Sequence, residues 1–321
     1  MDTTLLRALA IVLIANSHLE DLYPFRPLAA DGLLGNLLFF ALSGFGISSS
    51  PRFGRERFSS WYPRRLARIY PALWVAVILG TVVAAGAWRA WGIRDYFVQL
   101  IWPTKYGFIS QIVIFYIAYF LLRAARRDRS TLVVTALASA SYVLIAVFAY
   151  DLHVLSWIFS FMIMLFGGRL AERVDRLGES SPAAIACLTV GLPAYLGVKL
   201  AMVLGWIPTQ VAITHAIAAL LVWSAFELSA SLQKRGGRLP RGVGAIVGLL
   251  GGITLEIYVI HGYVYESPWV AGMPFPINIA VFWAITIPLA SVLRLASKAM
   301  GGRLPRTTSA SSSASTGAQP A

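Results

Sequence analysis

Apolar residues along the chain gather into ten runs, at about 3–19, 32–50, 69–88, 106–122, 131–150, 154–168, 183–204, 210–232, 244–265 and 275–297, each bounded by turn residues or clustered charge. An α-helix needs roughly 20 apolar residues to cross a ~30 Å hydrocarbon core, so this pattern predicts an all-α, polytopic membrane protein with about ten transmembrane helices. The segment 96–103 is aromatic but too short to span, and it is expected at the interface or as a re-entrant turn. The first run begins almost at Met1 without a small-residue cleavage site, so it is expected to remain as an uncleaved helix. Residues 307–321 are mostly Ser, Ala, Thr and Gly without apolar pattern, which predicts disorder. The expected division is therefore a membrane domain at 1–302 and a disordered cytosolic tail at 303–321, with no second soluble domain.

Composition agrees with this. Hydrophobic residues make up 58% of the 321 positions and charged ones 13%, too little polar surface for a water-soluble globule of this length. A net charge of +13 would suggest nucleic acid in a soluble protein, but here the arginines cluster between the runs and act as topology signals. Twenty of the 27 Lys and Arg residues fall in loops on one side, four on the other, and three (Arg7, Lys199, Arg294) within runs. Cytoplasmic loops are the basic ones, so both termini are expected in the cytosol, and no nucleic-acid partner is expected. The single cysteine, Cys187, lies inside an apolar run, so no intramolecular disulfide forms. Gly244, Gly248 and Gly252 repeat at a spacing that lets a neighbouring helix backbone approach closely.

Candidate chemistry lies where polar groups enter the apolar runs. A charged side chain in a span costs roughly 3 kcal/mol or more near its centre, which makes it a functional candidate. Arg7 and His18, eleven positions apart in the first run, return to within roughly 20° of one helical face and are about 16 Å apart along the axis. The same spacing also fits an arginine reaching to the headgroups and a histidine that marks the helix end. Arg64, Arg65 and Arg68 precede the third run. If helical, they bring three guanidinium forks to one membrane surface, a geometry suited to phosphate; a basic cytoplasmic loop is the other reading. In the ninth run His261 lies toward the same outer side as His18, with Thr254 and Tyr265 on roughly its face and Glu256 below; a buried histidine paired with tyrosine is commonly structural. His153 and His215 also fall near the outer side, and the four histidines do not make a metal-ligand spacing.

Taken together and in order, these motifs resemble acyltransferase family 3, the integral-membrane acyltransferases that modify extracytoplasmic glycans. Arg7 to His18 is similar to the family's signature of an Arg, ten residues and a His. Phe39-Phe40-Ala41-Leu42-Ser43-Gly44-Phe45 is similar to its aromatic and Ser-Gly-Phe element, and Arg64-Arg65-Leu66-Ala67-Arg68-Ile69-Tyr70-Pro71 to its arginine and proline element. Ile257-Tyr258-Val259-Ile260-His261 is similar to its late Ile-Tyr-Leu-Ile-His signature. Many members carry a Trp or Glu before the Phe-Tyr pair that is Phe115-Tyr116 here; this chain has Gln111 in that region and neither of those residues.

The resemblance implies O-acylation in cell-envelope polysaccharide modification. An acyl group, often acetyl, passes from cytosolic acyl-CoA, a donor substrate and not a bound cofactor, to a hydroxyl of a carbohydrate or glycolipid. The setting would be the lipid bilayer of a bacterial-type cytoplasmic membrane. In that scheme His18 is the general base, for which an imidazole of ordinary pKa near ~6.5 is suited, and Arg7 orients the CoA moiety or supports the site electrostatically. Arg64, Arg65 and Arg68 hold the donor phosphates, with His261, Tyr258, Glu256 and Ser43 in support. An acyl-histidine intermediate is a second route. Ten helices equally fit a secondary transporter or flippase of a polar or lipid-linked substrate, although no inverted repeat is visible, and a non-catalytic relative is a third reading.

Overall fold

The computed structural model describes residues 1–29, 32–53, 55–83, 92–124, 128–145, 152–208, 211–237 and 239–301. The helices are α1 (Thr4–Ser17), α2 (Gly32–Ser48), α3 (Phe58–Val83), α4 (Ile93–Ile101), α5 (Gly107–Ala124), α6 (Asp128–Leu144) and α7 (Leu152–Glu172). They continue with α8 (Ser181–Val203), α9 (Val211–Lys234), α10 (Arg241–Gly252), α11 (Thr254–Tyr265), α12 (Pro268–Ala271) and α13 (Ile277–Gly301). Among the described residues there is no strand. Five helices are long and apolar enough to cross a bilayer, six if the bent pair α10 and α11 is one span, and three further apolar helices are shorter. The exposed faces are those of a polytopic membrane protein: α8 leaves Ile185, Val190 and Val203 at 54%, 71% and 66% exposure, surface that a water-soluble chain would cover.

Each of the ten apolar runs is helical over most of its described part. The distal ends of the third and fifth runs, 84–88 and 146–150, and the tail expected at 303–321 lie outside the described residues. Three features add to or differ from the reading of the sequence. The third helix starts eleven residues before its apolar run, because the segment from Phe58 is amphipathic: Trp61 and Ile69 are buried while Arg64 and Arg68 stay exposed. The aromatic segment at 96–103 forms most of α4, tied to α3 where the Tyr70 hydroxyl donates to the Ile101 carbonyl (2.8 Å) and the Trp74 indole to that of Leu100 (2.9 Å).

The ninth run is not one helix. It breaks at Ile253, and α11 leaves α10 at 82°. The break follows Gly251 and Gly252, residues that weaken a helix by about 1 kcal/mol each relative to alanine. The Thr254 hydroxyl donates to the carbonyls of Leu250 and Gly251, both at 3.0 Å, so acceptors at the end of α10 are satisfied. The glycine that admits a neighbouring backbone here is Gly251, where a Cβ would overlap the Thr4 carbonyl oxygen. Gly248, by contrast, has nothing within 4 Å of that position, so the expected 244–248–252 stripe is not the packing face.

The core is built around α1, α2, α7, α9 and α11. The closest pair is α2 with α7: a Cβ at Gly44 would overlap the Met164 carbonyl, and one at Gly167 the Ala41 carbonyl. The start of α1 is tied to α9, since Asp2 N–H donates to Gln233 Oε1 (2.8 Å) and Gln233 Nε2 donates to the Asp2 carbonyl (2.6 Å). Past its end, Tyr23 donates to Asn16 Oδ1 (2.6 Å) and Asn278 of α13 to the Leu22 carbonyl (2.8 Å). Both ends of the helix that carries Arg7 and His18 are therefore held by long-range contacts.

Candidate active site

Two cavities open at opposite ends of the same helices. One, of about 330 Å³, is lined by His18, Asn36, Phe40, Phe108, Gln111, Tyr258, His261 and Tyr265 among others. The other, of about 750 Å³, is lined by Arg7, Ser43, Arg65, Arg68, Tyr116, Glu256, Arg294 and Lys298 among others. We call them the histidine cavity and the cationic cavity. Each of α1, α2, α5 and α11 contributes residues to both. α1 and α11 run from the cationic cavity to the histidine cavity, and α2 and α5 run back. Phe108 lines both.

In the histidine cavity the rings of His18 and His261 lie 4.9 Å apart between centroids, and Tyr265 stacks on His18 at 6.0 Å. His18 caps the C-terminal end of α1 and is solvent-accessible, and the charge of Glu20, in the turn that follows, acts on it. His261 is buried, with Nδ1 at 2.8 Å from the Tyr258 carbonyl and 3.1 Å from that of Ile257. Carbonyl oxygens only accept, so Nδ1 carries the proton and Nε2 is left as an acceptor. The result is one imidazole of fixed tautomer beside one open to ligand. Gln111 faces this cavity, and Glu266, which accepts from the Tyr265 hydroxyl at 3.2 Å, supplies a carboxylate to it.

The cationic cavity gathers five basic side chains among the described residues, Arg7, Arg65, Arg68, Arg294 and Lys298, against one carboxylate, Glu256. Arg65 is half-buried, its guanidinium 5.5 Å from the centre of the Trp61 ring, a cation–π contact that leaves its fork free to bind. Pro71 lacks the N–H that would bond the Ala67 carbonyl, and both residues line the wall. Ser43 and Tyr116 also line this cavity.

The residues singled out from the sequence are thus divided. His18, His261 and Tyr258 meet in one cavity; Arg7, Arg65, Arg68, Ser43 and Glu256 meet in the other. Glu256, below His261 on α11, therefore stands among the cations. Arg64 lines neither cavity: its guanidinium pairs with Glu56 and also donates from Nε to the Ser60 carbonyl (2.9 Å). The expected trio of forks is a pair from α3. His153 packs on Trp157, and His215 bonds Tyr142 (2.8 Å) and stacks on Phe159; both are outside the two cavities.

The model of an acyltransferase domain family matches residues 3–295 of the 321. The chain belongs to acyltransferase family 3. No curated protein and no solved structure matched it. The matched region of this acyltransferase contains both cavities whole except for Ser297 and Lys298.

The residues of this acyltransferase site that the reading of the sequence missed include Arg294, Lys298 and Asn36. Arg294 was counted only as a charge inside the last run, although that placement is the signal that marks a functional residue in a span. Lys298 passed as part of a basic cytosolic end. Asn36, a lone amide in the apolar second run, lines the histidine cavity with its Oδ1 buried and without a hydrogen-bond partner among the described residues, a state that calls for an explanation in a folded protein.

Proposed function

We propose that the protein transfers an acyl group, acetyl above all, from cytosolic acyl-CoA to a hydroxyl of an extracytoplasmic or lipid-linked carbohydrate. The observation that carries this reading is the pair of cavities on shared helices, one cationic and one holding paired imidazoles, with Phe108 common to both. Acyl-CoA is a match for the first, because its diphosphate and 3′-phosphate need several cations and arginine forks grip phosphate bidentately. Arg65, Arg68 and Arg7 take this role, with Arg294 and Lys298 added from α13. The second cavity suits the acceptor. There His18 takes the proton of the acceptor hydroxyl as its oxygen attacks the thioester carbonyl. The C–S bond then breaks as the C–O ester bond remains, and the departing thiolate recovers the proton from His18 to leave as the free thiol. His261, locked by its main-chain bonds, supports the orientation of His18 across a 4.9 Å ring contact.

This reading takes ten spans in a bacterial-type cytoplasmic membrane, with both termini and the cationic cavity cytosolic. The 20 to 4 division of basic residues between the two sides supports it, as do the opposed directions of α1 and α2. In a Cys187→Ser background, a cysteine at Gly205 should react with an impermeant thiol reagent from outside and one at Arg176 should not; the reverse pattern inverts the topology. A secondary transporter or flippase is favoured by one observation, the 82° break between α10 and α11, since discontinuous helices often build transport sites. Radiolabelled acetyl-CoA supplied to the purified protein with envelope glycans separates the two. Ester-linked label on a glycan, with a mass gain of one acetyl group, supports acyl transfer; movement of unmodified substrate without label supports transport.

A further inference from the structure

We propose that Phe108 limits the length of the acyl group, as the partition between the donor and acceptor cavities; the inference rests on the acyl-transfer reading above. Phe108 lines both cavities, so a thioester passing from one to the other meets this residue. The ring is held by aromatic neighbours on two helices: Phe40 at 4.7 Å and Phe39 at 5.3 Å on α2, and Tyr258 at 5.5 Å on α11. Its own N–H donates to the Tyr258 hydroxyl at 3.2 Å, which fixes the start of α5 against α11. The two α2 rings divide between the cavities, Phe39 on the cationic side and Phe40 on the histidine side. The partition is thus an aromatic wall with Phe108 at its centre, permissive to an apolar thioester arm and opposed to phosphates, which stay with the cations.

Volume supplies the limit. The histidine cavity, about 330 Å³, lies at the low end of the roughly 300–1,000 Å³ typical of ligand pockets. It must hold a hydroxyl-bearing acceptor unit together with the acyl carbonyl. Extra methylenes then need the space the Phe108 and Phe40 rings fill, and tightly packed rings yield little volume without displacement. An acetyl group adds only a methyl to the carbonyl and avoids that conflict.

The test uses inside-out membrane vesicles from cells producing the full chain, which present native acceptors and an accessible cytosolic face, with radiolabelled acetyl-, butyryl- and hexanoyl-CoA as probes. The readout is the initial rate of label entering the glycan fraction. For the unaltered protein the expected order is acetyl far above butyryl, with hexanoyl lowest. In Phe108→Ala the butyryl to acetyl ratio should rise about 10-fold or more, within the range a hydrophobic pocket gives for added or removed methylenes. Phe108→Leu should show a smaller rise in the same direction and guards against a misfolded alanine variant. An unchanged ratio in folded variants overturns the proposal, as does hexanoyl transfer by the unaltered protein at the acetyl rate. Absence of label from all three donors with the unaltered protein overturns the acyl-transfer reading itself, a result distinct from unaltered chain-length preference.

Discussion

The cavity at the Arg7 end of α1 and the one at the His18 end are walled by the same four helices, yet they hold their functional groups in opposite ways. At the Arg7 end the groups are long and open to solvent: Arg7, Arg68 and Lys298 are exposed, Arg65 and Arg294 half-buried, in a volume more than twice that of the other cavity. At the His18 end the groups around the exposed His18 are tied by hydrogen bonds. His261 is tied to two carbonyls, Tyr106 and Tyr263 share a hydrogen bond at 2.9 Å, and Tyr258 is bonded to the start of α5. Flexible cations suit the capture of a large polyanion that must leave again as product. Reaction geometry instead needs groups whose positions are set in advance, because misplacement of about 1 Å can cost 10²-fold in rate. In the proposed reaction this difference assigns binding to one end and chemistry to the other.

The largest effect that would sharpen this contrast is at His18. His18→Ala should lower transfer by about 10²-fold or more, the usual scale for a lost general base, with acyl-CoA affinity unchanged in a direct binding assay. Affinity lost together with turnover would break the division between the two ends, and full activity would remove His18 from the chemistry. His261→Ala should cost less activity than His18→Ala, and the opposite ranking in a folded protein moves the base to α11.

At the other end, Arg65→Ala and Arg68→Ala should each weaken CoA binding about 10-fold, since hydrogen bonds to charged groups contribute roughly 1.5–3 kcal/mol. Arg64→Ala is the internal contrast: its guanidinium already pairs with Glu56 outside the cavity, so CoA binding measured by calorimetry should stay close to normal. Equal losses in all three variants would mean that the cluster acts only as general positive charge. A smaller change, about 5-fold, is expected in the acceptor concentration dependence of Asn36→Ala, the loss of one neutral hydrogen bond, with donor affinity unaffected. Smallest is Glu256→Gln. Removing the one carboxylate among five cations should tighten CoA about 2-fold to 3-fold, a partly screened charge effect, and weaker binding would assign Glu256 to the ligand instead.

Much of this molecule was legible from hydropathy alone. Every one of the ten apolar runs carries helix over most of its described part, because a bilayer leaves the backbone few ways to satisfy its own hydrogen bonds, and five of those helices are long and apolar enough to span. The Arg7 and His18 pair was legible too, since one straight helix converts spacing into phase and distance. The break at Ile253 was less so. Glycines at 251 and 252 read equally well as a packing stripe, and only the 82° turn shows that they end a helix.

What the sequence by itself determined is therefore the class of fold, the local helices and the identity of most polar groups placed in them. Those features follow from interactions between residues near in the chain and from the solvent, lipid or water, that each segment meets. The tertiary structure alone decided which groups share a site. It brought His261 to His18 from 243 positions away and Arg294 to Arg7 from the other end of the chain. It also turned Arg64 outward to Glu56, moved Glu256 among the cations, and set Phe108 between the cavities. The physical reason is that helix periodicity fixes the face a residue occupies on its own helix, whereas the neighbour met by that face depends on close approaches such as Gly44 on Met164 and Gly251 on Thr4.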